Sequence, residues 1–93
     1  MPRYIAIHPI DPPVNGESVV PIAKSCKANL SADAYWVRSW LQLTDEGKVS
    51  RVFCEWDSKD VNSIRQSLSA SVPEFPPSEG IFQIAEIHGE DYR

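Results

Sequence analysis

The side chains best suited to bind a metal or to move a proton are one histidine and two carboxylates. His8 ends a short apolar segment, Asp11 follows it in a proline-rich stretch, and Glu55 lies within a second apolar segment. Nickel and zinc accept imidazole ligands, and carboxylates can complete such a site. A histidine beside a carboxylate can also act as a general base. These three residues therefore predict a site for nickel or zinc, or else a base, provided that the fold brings them together.

No other pattern of residues indicates catalysis. Cys26 and Cys54 are the only two cysteines, and their wide separation fits neither a zinc ribbon nor a disulfide framework. The four glycines are scattered, so the sequence has no phosphate-binding loop. Serine and threonine hydroxyls form no triad pattern. We therefore assign no catalytic residue, and the sequence favours a binding protein over an enzyme.

Length and composition set limits on the class of protein. A chain of 93 residues, 42% hydrophobic and 24% charged, is typical of one globular domain, which we take as residues 1–93. The net charge is −4 and the nine basic residues are scattered, whereas nucleic-acid binding needs a clustered positive surface. No apolar run approaches the roughly 18 residues of a membrane-spanning helix, and no signal-peptide pattern opens the chain. We expect no nucleic-acid or membrane partner and, by default, a cytoplasmic location.

Hydrophobic periodicity predicts the elements that must position these residues. Alternation predicts strands over 4–8, 35–43, 48–57 and 81–87, with a hairpin turn at 44–47 between the middle two. Helical spacing predicts one helix that starts near Ser18 and a second that is capped by Asp57 and Ser58. A proline-rich loop over 73–77 and a polar tail over about 88–93 complete the chain.

The resulting order, β-α-β-β-α-β, predicts an α+β domain of the ferredoxin-like type. Right-handed crossovers give an antiparallel sheet of order 4-1-3-2 with both helices on one face. The opposite face of the sheet must be covered by something else, solvated or used.

The register of the hairpin decides which side chains occupy that opposite face. A three-residue loop would place Arg51 and Glu55 beneath the helices, which would cost several kcal/mol for two buried charges. We therefore expect a four-residue loop. The uncovered face then carries Tyr4, His8, Trp36, Arg38, Trp40, Arg51, Phe53, Glu55 and Gln83.

We expect strands one and three to be adjacent and parallel, which would bring His8 and Glu55 to one end of the sheet below the loop that carries Asp11. This arrangement predicts a metal site formed by His8, Glu55 and Asp11. The ligand cleft around it would be lined by His8, Trp36, Arg38, Glu55 and Gln83. Aromatic and arginine side chains are enriched at protein interfaces, so we expect a homodimer contact at Tyr4, Trp40, Arg51 and Phe53.

Several short segments resemble a known family. A first strand ending in His8, the segments 36–40 and 53–56, and a final strand ending at 84–87 are similar to a small bacterial family. That family has long been classed as a domain of unknown function and is described as nickel-responsive or nickel-binding. The resemblance implies a ferredoxin-like fold paired into a dimeric α+β barrel, and it implies nickel binding. His8 occupies the position of the family's strand-one histidine.

Three functions remain open at this point. The first is a dimer that binds a divalent metal or a small ligand in a cleft on the uncovered face. The second is a cofactor-independent enzyme of the isomerase or oxygenase type that uses His8 and Glu55, by analogy with other dimeric barrels. The third is a non-catalytic dimerisation or interaction module.

Overall fold

Four strands and two helices make up the computed structural model, which describes residues 1–70 and 76–92. Within these residues the strands are Arg3–Val14 (β1), Ala34–Leu43 (β2), Val49–Ser58 (β3) and Gly80–Gln83 (β4). The helices are Val20–Ala28 (α1) and Val61–Ala70 (α2), and short 3-10 turns span Gly16–Val19 and Gly89–Tyr92. Most of the predicted loop over 73–77 lies outside the described residues.

The four strands form one antiparallel sheet in the order β2-β3-β1-β4. This is the predicted order 4-1-3-2 counted from the other edge, so the α+β class and the sheet order are confirmed. The predicted direction of strand three was wrong, because β3 runs antiparallel to β1, with Ile5 opposite Glu55 and His8 opposite Val52. No helix in the described part of the chain is long and apolar enough to cross a membrane.

The core lies between the sheet and both helices. Tyr4, Ala6 and His8 of β1 are buried on this side, and they lie opposite the buried Trp56, Cys54 and Val52 of β3. Cys26 of α1 and Ile64 of α2 complete the core on the helix side of the sheet. Both helices therefore cover the same face of the sheet.

Local chemistry explains where the helices begin, and it corrects two predicted caps. Pro21 lies in the first turn of α1, where its missing N–H costs nothing, whereas Ser18 belongs to the preceding 3-10 turn. Because β3 continues through Ser58, the cap of α2 is Asp60, whose Oδ1 accepts a 2.8 Å hydrogen bond from the backbone N–H of Ser63.

The hairpin contains two irregularities that the sequence pattern did not reveal. The predicted four-residue loop was wrong: the turn has the three-residue form, in which the Thr44 N–H donates to the Lys48 carbonyl at 2.8 Å. One register shift near Ser50 then restores the alternation, so Arg51 and Glu55 stay on the uncovered face. A second shift at Val37 turns Trp36 towards the helices, opposite Trp56.

We call the sheet surface without helices the open face. The register and the burial pattern assign to it side chains of both charges together with large apolar groups. They are Arg3, Ile5 and Ile7 of β1; Tyr35, Arg38, Trp40 and Gln42 of β2; Arg51, Phe53, Glu55 and Asp57 of β3; and Phe82 of β4.

Candidate functional site

Glu55 lies at the centre of the open face and is only 5% exposed. Its strand, β3, lies between β1 and β2, so Ile5 flanks it on one side and Arg38 on the other. A buried carboxylate is costly unless it is paired. Here each oxygen has its own arginine: Arg3 Nη1 lies 2.6 Å from Oε2, and Arg38 Nε lies 3.2 Å from Oε1.

Arg3 is held in place by two acids at once. Its Nε and Nη2 donate to the two oxygens of Asp57, at 2.9 and 3.3 Å, in a bidentate pair. Its Nη1 faces Glu55. The hydrogen bond to Asp57 raises the pKa of Arg3 further above its ordinary value. Arg3 therefore acts as a fixed bridge between Glu55 and Asp57.

Arg38 is engaged through one nitrogen only. Its Nε faces Glu55, and its guanidinium carbon lies 6.0 Å from the centre of the Trp40 ring, at the outer limit of a cation–π contact. The side chain is 61% exposed. Among the residues that the structure describes, its terminal nitrogens Nη1 and Nη2 donate no side-chain hydrogen bond, and its closest approach to Glu55 is through Nε.

A pocket of about 300 Å³ lies beside this cluster, a size that suits a small molecule. Its walls are Arg3, Arg38, Trp40 and Glu55, together with the segment 84–86. That segment is held against β1, because the Ile84 N–H donates to the Arg3 carbonyl at 2.9 Å. We refer to this cavity as the Glu55 pocket.

Large apolar side chains surround the pocket on the open face. Trp40 lies opposite Phe53, and Phe82 lies opposite Ile5. Trp40 and Phe82 are 50% and 53% exposed. The ring of Phe82 lies across Gly80, at a place where any β-carbon would collide with it. Glycine thus lets this aromatic ring lie flat against its own strand.

His8 is on the other side of the sheet. It is fully buried beneath the helices, and its Nδ1 lies 2.7 Å from the Pro76 carbonyl oxygen. Because a carbonyl can only accept, Nδ1 carries the proton. Burial lowers the pKa of His8, and the Pro76 contact offsets part of that effect. His8 lines a separate cavity of about 250 Å³ with Arg65 and Ser69.

The predicted trio of metal ligands is not assembled. His8 faces the helices, Glu55 faces the open side, and Asp11 is exposed on the far part of β1. The described residues contain no group of three histidine, cysteine or acidic side chains that could hold a metal. The placement of His8 beside Glu55 was wrong, because it assumed that β1 and β3 are parallel.

The other predicted site residues divide between the two faces. Arg38, Trp40, Arg51 and Phe53 lie on the open face as predicted. Tyr4 is buried on the helix side, and Gln83 pairs with it in β4, so neither belongs to the open face. Trp36 also points towards the helices, where its Nε1 donates to Ser39 Oγ at 2.9 Å. The cleft and interface residues are therefore corrected for Tyr4, His8, Trp36 and Gln83.

Cys54 offers no alternative nucleophile. Both cysteines are buried, and burial raises the pKa of the Cys54 thiol to about 12. Ser39 Oγ donates to Cys54 Sγ at 3.1 Å. A thiol with so high a pKa is not a nucleophile near neutral pH.

Sequence reasoning missed Arg3, Asp57 and the segment 84–86. One signal was available. Arg3 is two residues before Ile5, so both must lie on the same face of β1, and a charged residue on that face indicates that it is not the core side. The segment 84–86 carries no such signal, because a backbone hydrogen bond from Ile84 to Arg3, which side-chain periodicity does not encode, holds it at the pocket wall.

Comparison with known proteins supplies no relative: no family model, no curated protein and no solved structure matches this chain. The function is therefore argued from the geometry alone.

Proposed function

We propose that this chain is a ferredoxin-like subunit of a homodimeric binding protein, in which two copies join their open faces as an α+β barrel and cover the Glu55 pocket. The observation that carries this proposal is the apolar content of a sheet face that the chain's own helices do not cover. Ile5 and Ile7 of the central strand β1 lie on that face, next to Phe53 and the exposed Trp40 and Phe82. Contiguous exposed apolar surface of this kind marks an interaction site.

The open face is large enough for a second copy. Four strands about 4.8 Å apart, with about 3.3 Å per residue along the ten residues of β3, outline roughly 600 Å². Two such faces together bury about 1,200 Å², the lower limit of specific protein interfaces. A small domain also gains stability from burying this surface, because its own core covers a modest share of the chain.

The charges on the open face favour a copy of the same chain over a strongly charged partner. Three arginines (Arg3, Arg38 and Arg51) share the face with the acids Glu55 and Asp57. A two-fold interface brings each patch against its own copy. Neighbouring charges of both signs suit such a contact, whereas a face of one sign would repel itself.

Trp40→Glu tests the proposal. A carboxylate at this position of the open face would have to be buried in the proposed dimer, so we expect the variant to be monomeric at micromolar concentrations where the wild-type chain is dimeric. Sedimentation velocity measures both states. Val20→Glu is the matched control, since Val20 is 49% exposed against 50% for Trp40 but lies on α1. We expect it to remain dimeric.

Two results would contradict the proposal. A wild-type chain that sediments as a monomer at these concentrations removes the dimer. A dimer that survives Trp40→Glu but is lost with Val20→Glu places the contact on the helix layer. Far-ultraviolet circular dichroism confirms that both variants are folded before they are compared.

A second proposal is nickel binding, which rests on the family resemblance and on one contact. Histidines that bind metals usually donate their second ring N–H to a carbonyl or carboxylate, as His8 does to Pro76. Such a site would lie on the helix side and would not use Glu55. Nickel should then raise the melting temperature, and His8→Gln, but not His88→Gln, should remove the effect. An unchanged melting temperature of the wild-type protein would refute it.

A further inference from the structure

We infer that the Glu55 pocket binds a small monocarboxylate with a flat apolar body, through the terminal nitrogens of Arg38. This inference deepens the proposed binding function by naming a ligand class. It depends on how Arg38 is held, on the apolar walls next to it, and on the charges around the pocket.

Arg38 is held in a fixed position. Arg38 Nε forms an ion pair with Glu55 Oε1 at 3.2 Å, and Arg3 forms a second ion pair with the other oxygen of Glu55. The guanidinium plane is thus anchored at one end by a buried acid. Its Nη1 and Nη2 donate no side-chain hydrogen bond to the residues described, the side chain is 61% exposed, and Arg38 lines the pocket.

The terminal nitrogens of Arg38 match the geometry of a carboxylate. Two parallel N–H groups bind the two oxygens of a carboxylate in a planar, bidentate pair. Ordering the side chain in advance reduces the entropy lost when the ligand binds. Arg3 lacks this capacity, because Asp57 and Glu55 occupy its Nε, Nη1 and Nη2.

The Glu55 pocket also has an apolar wall. Trp40, Ile84 and Ala85 line the same pocket as Arg38. The indole of Trp40 is half exposed and offers a flat surface. A planar ring attached to the carboxylate would cover that surface, and aromatic stacking would contribute to binding.

The charges limit the ligand to a single negative charge. Arg3 is balanced by Asp57, and Arg38 by Glu55, so the pocket has no surplus of positive charge. Glu86 adds a negative charge at the wall, with His88 Nε2 3.3 Å from it. A phosphate or a dicarboxylate would bring a second negative charge near Glu55 and Glu86. A cation would meet two guanidinium groups.

Phenylacetate is a suitable probe, and isothermal titration calorimetry measures its affinity. Three related compounds separate the contributions: phenylacetamide keeps the ring without charge, acetate keeps the charge without the ring, and phenyl phosphate carries more charge. We expect phenylacetate to bind at least about tenfold more tightly than each of the others. The difference from phenylacetamide measures the charge-assisted bidentate pair, which contributes on the order of tenfold in affinity.

Arg38→Gln should weaken phenylacetate binding about tenfold. Arg51→Gln is the matched control, because Arg51 shares the open face but lies outside the pocket and faces Glu79 at 3.6 Å. We expect it to bind like the wild type. Equal loss in both variants, or equal binding of phenylacetate and phenylacetamide, would overturn the inference.

The outcome for the ligand is separable from the outcome for the dimer. A wild-type chain that sediments as a dimer but binds no phenylacetate refutes the ligand class and leaves the dimer intact. A monomer that binds phenylacetate through Arg38 refutes the dimer and supports the ligand class. A monomer that binds none of the four compounds refutes both.

Discussion

Glu55 is a carboxylate that is nearly excluded from solvent, although it belongs to the sheet face that no helix covers. Its burial comes from the two arginines that lie against its oxygens and from Ile5 on the neighbouring strand. The carboxylate thus orders the polar centre of the open face. Removing its charge should affect both stability and the position of Arg38.

Glu55→Gln should lower the free energy of unfolding by about 2 kcal/mol, because two charge-assisted contacts are replaced by weaker ones to a neutral amide. Urea denaturation followed by tryptophan fluorescence measures the change. Glu86→Gln is the control: Glu86 is 65% exposed, and its loss should matter by less than about 0.5 kcal/mol. Equal effects of the two changes would mean that the Glu55 cluster contributes no special stability.

His8 predicts a pH dependence whose sign follows from its burial. Burial lowers the pKa of His8 below its ordinary value of 6.5, so the unfolded chain takes up the proton more readily than the folded chain. The contribution of His8 to stability is complete above pH 6.5. It is lost as the pH falls from there towards the lowered pKa of the folded state. His8→Gln should flatten this part of the stability profile.

An NMR titration of the imidazole protons tests the same point without a substitution. His8 should titrate below pH 6.5. A His8 that titrates at or above 6.5 would contradict its burial beneath the helices.

At the scale of single residues, the sequence identified Arg38, Glu55, Trp40 and Phe53 as open-face residues but misplaced His8. The strand pattern offered two choices: Ile5 and Ile7 inside, or Tyr4, Ala6 and His8 inside. Isoleucine is the more apolar choice for a core, so the pattern favoured the first. The structure takes the second, and both faces of β1 are apolar in consequence. Alternation alone cannot rank two faces of a strand that are both apolar.

At the scale of elements, the order of strands and helices and the order of strands in the sheet could be read from the sequence. The direction of β3 was also within reach. A helix returns the chain so that β2 is parallel to β1, and a hairpin then reverses it. The two shifts within the hairpin could not be foreseen, because Ser50 and Val37 are ordinary strand residues. Compared with the predicted register, the two shifts together move Trp36 to the helix side of the sheet and leave Arg38 on the open face.

The turn of the same hairpin contains Gly47. Gly47 has a φ of +80°, a conformation that residues with a β-carbon rarely adopt. Gly47→Ala should therefore lower the free energy of unfolding by about 1 kcal/mol. Gly16→Ala is the control, since Gly16 has neither a positive φ nor any atom near its absent β-carbon. A similar loss in both variants, measured by urea denaturation, would count against the turn geometry.

At the scale of the whole molecule, the proposed dimer makes stability depend on concentration. Association stabilises the folded state by mass action, by about 1.4 kcal/mol per mole of dimer for each tenfold rise in protein concentration. The melting temperature of the wild-type chain should therefore rise with concentration, and that of Trp40→Glu should not. Differential scanning calorimetry over a range of concentrations makes the comparison. A wild-type melting temperature independent of concentration would speak against association.

The two-sided character of β1 has a consequence for genetics. Side chains at positions 4, 6 and 8 lie in the core, and those at 3, 5 and 7 lie on the open face. A saturation scan along this strand should therefore give two interleaved phenotypes. Polar changes at positions 4 and 6 would reduce the yield of folded protein, whereas polar changes at positions 5 and 7 would spare the yield and abolish assembly of the proposed dimer. Adjacent codons would then report on different properties of one protein.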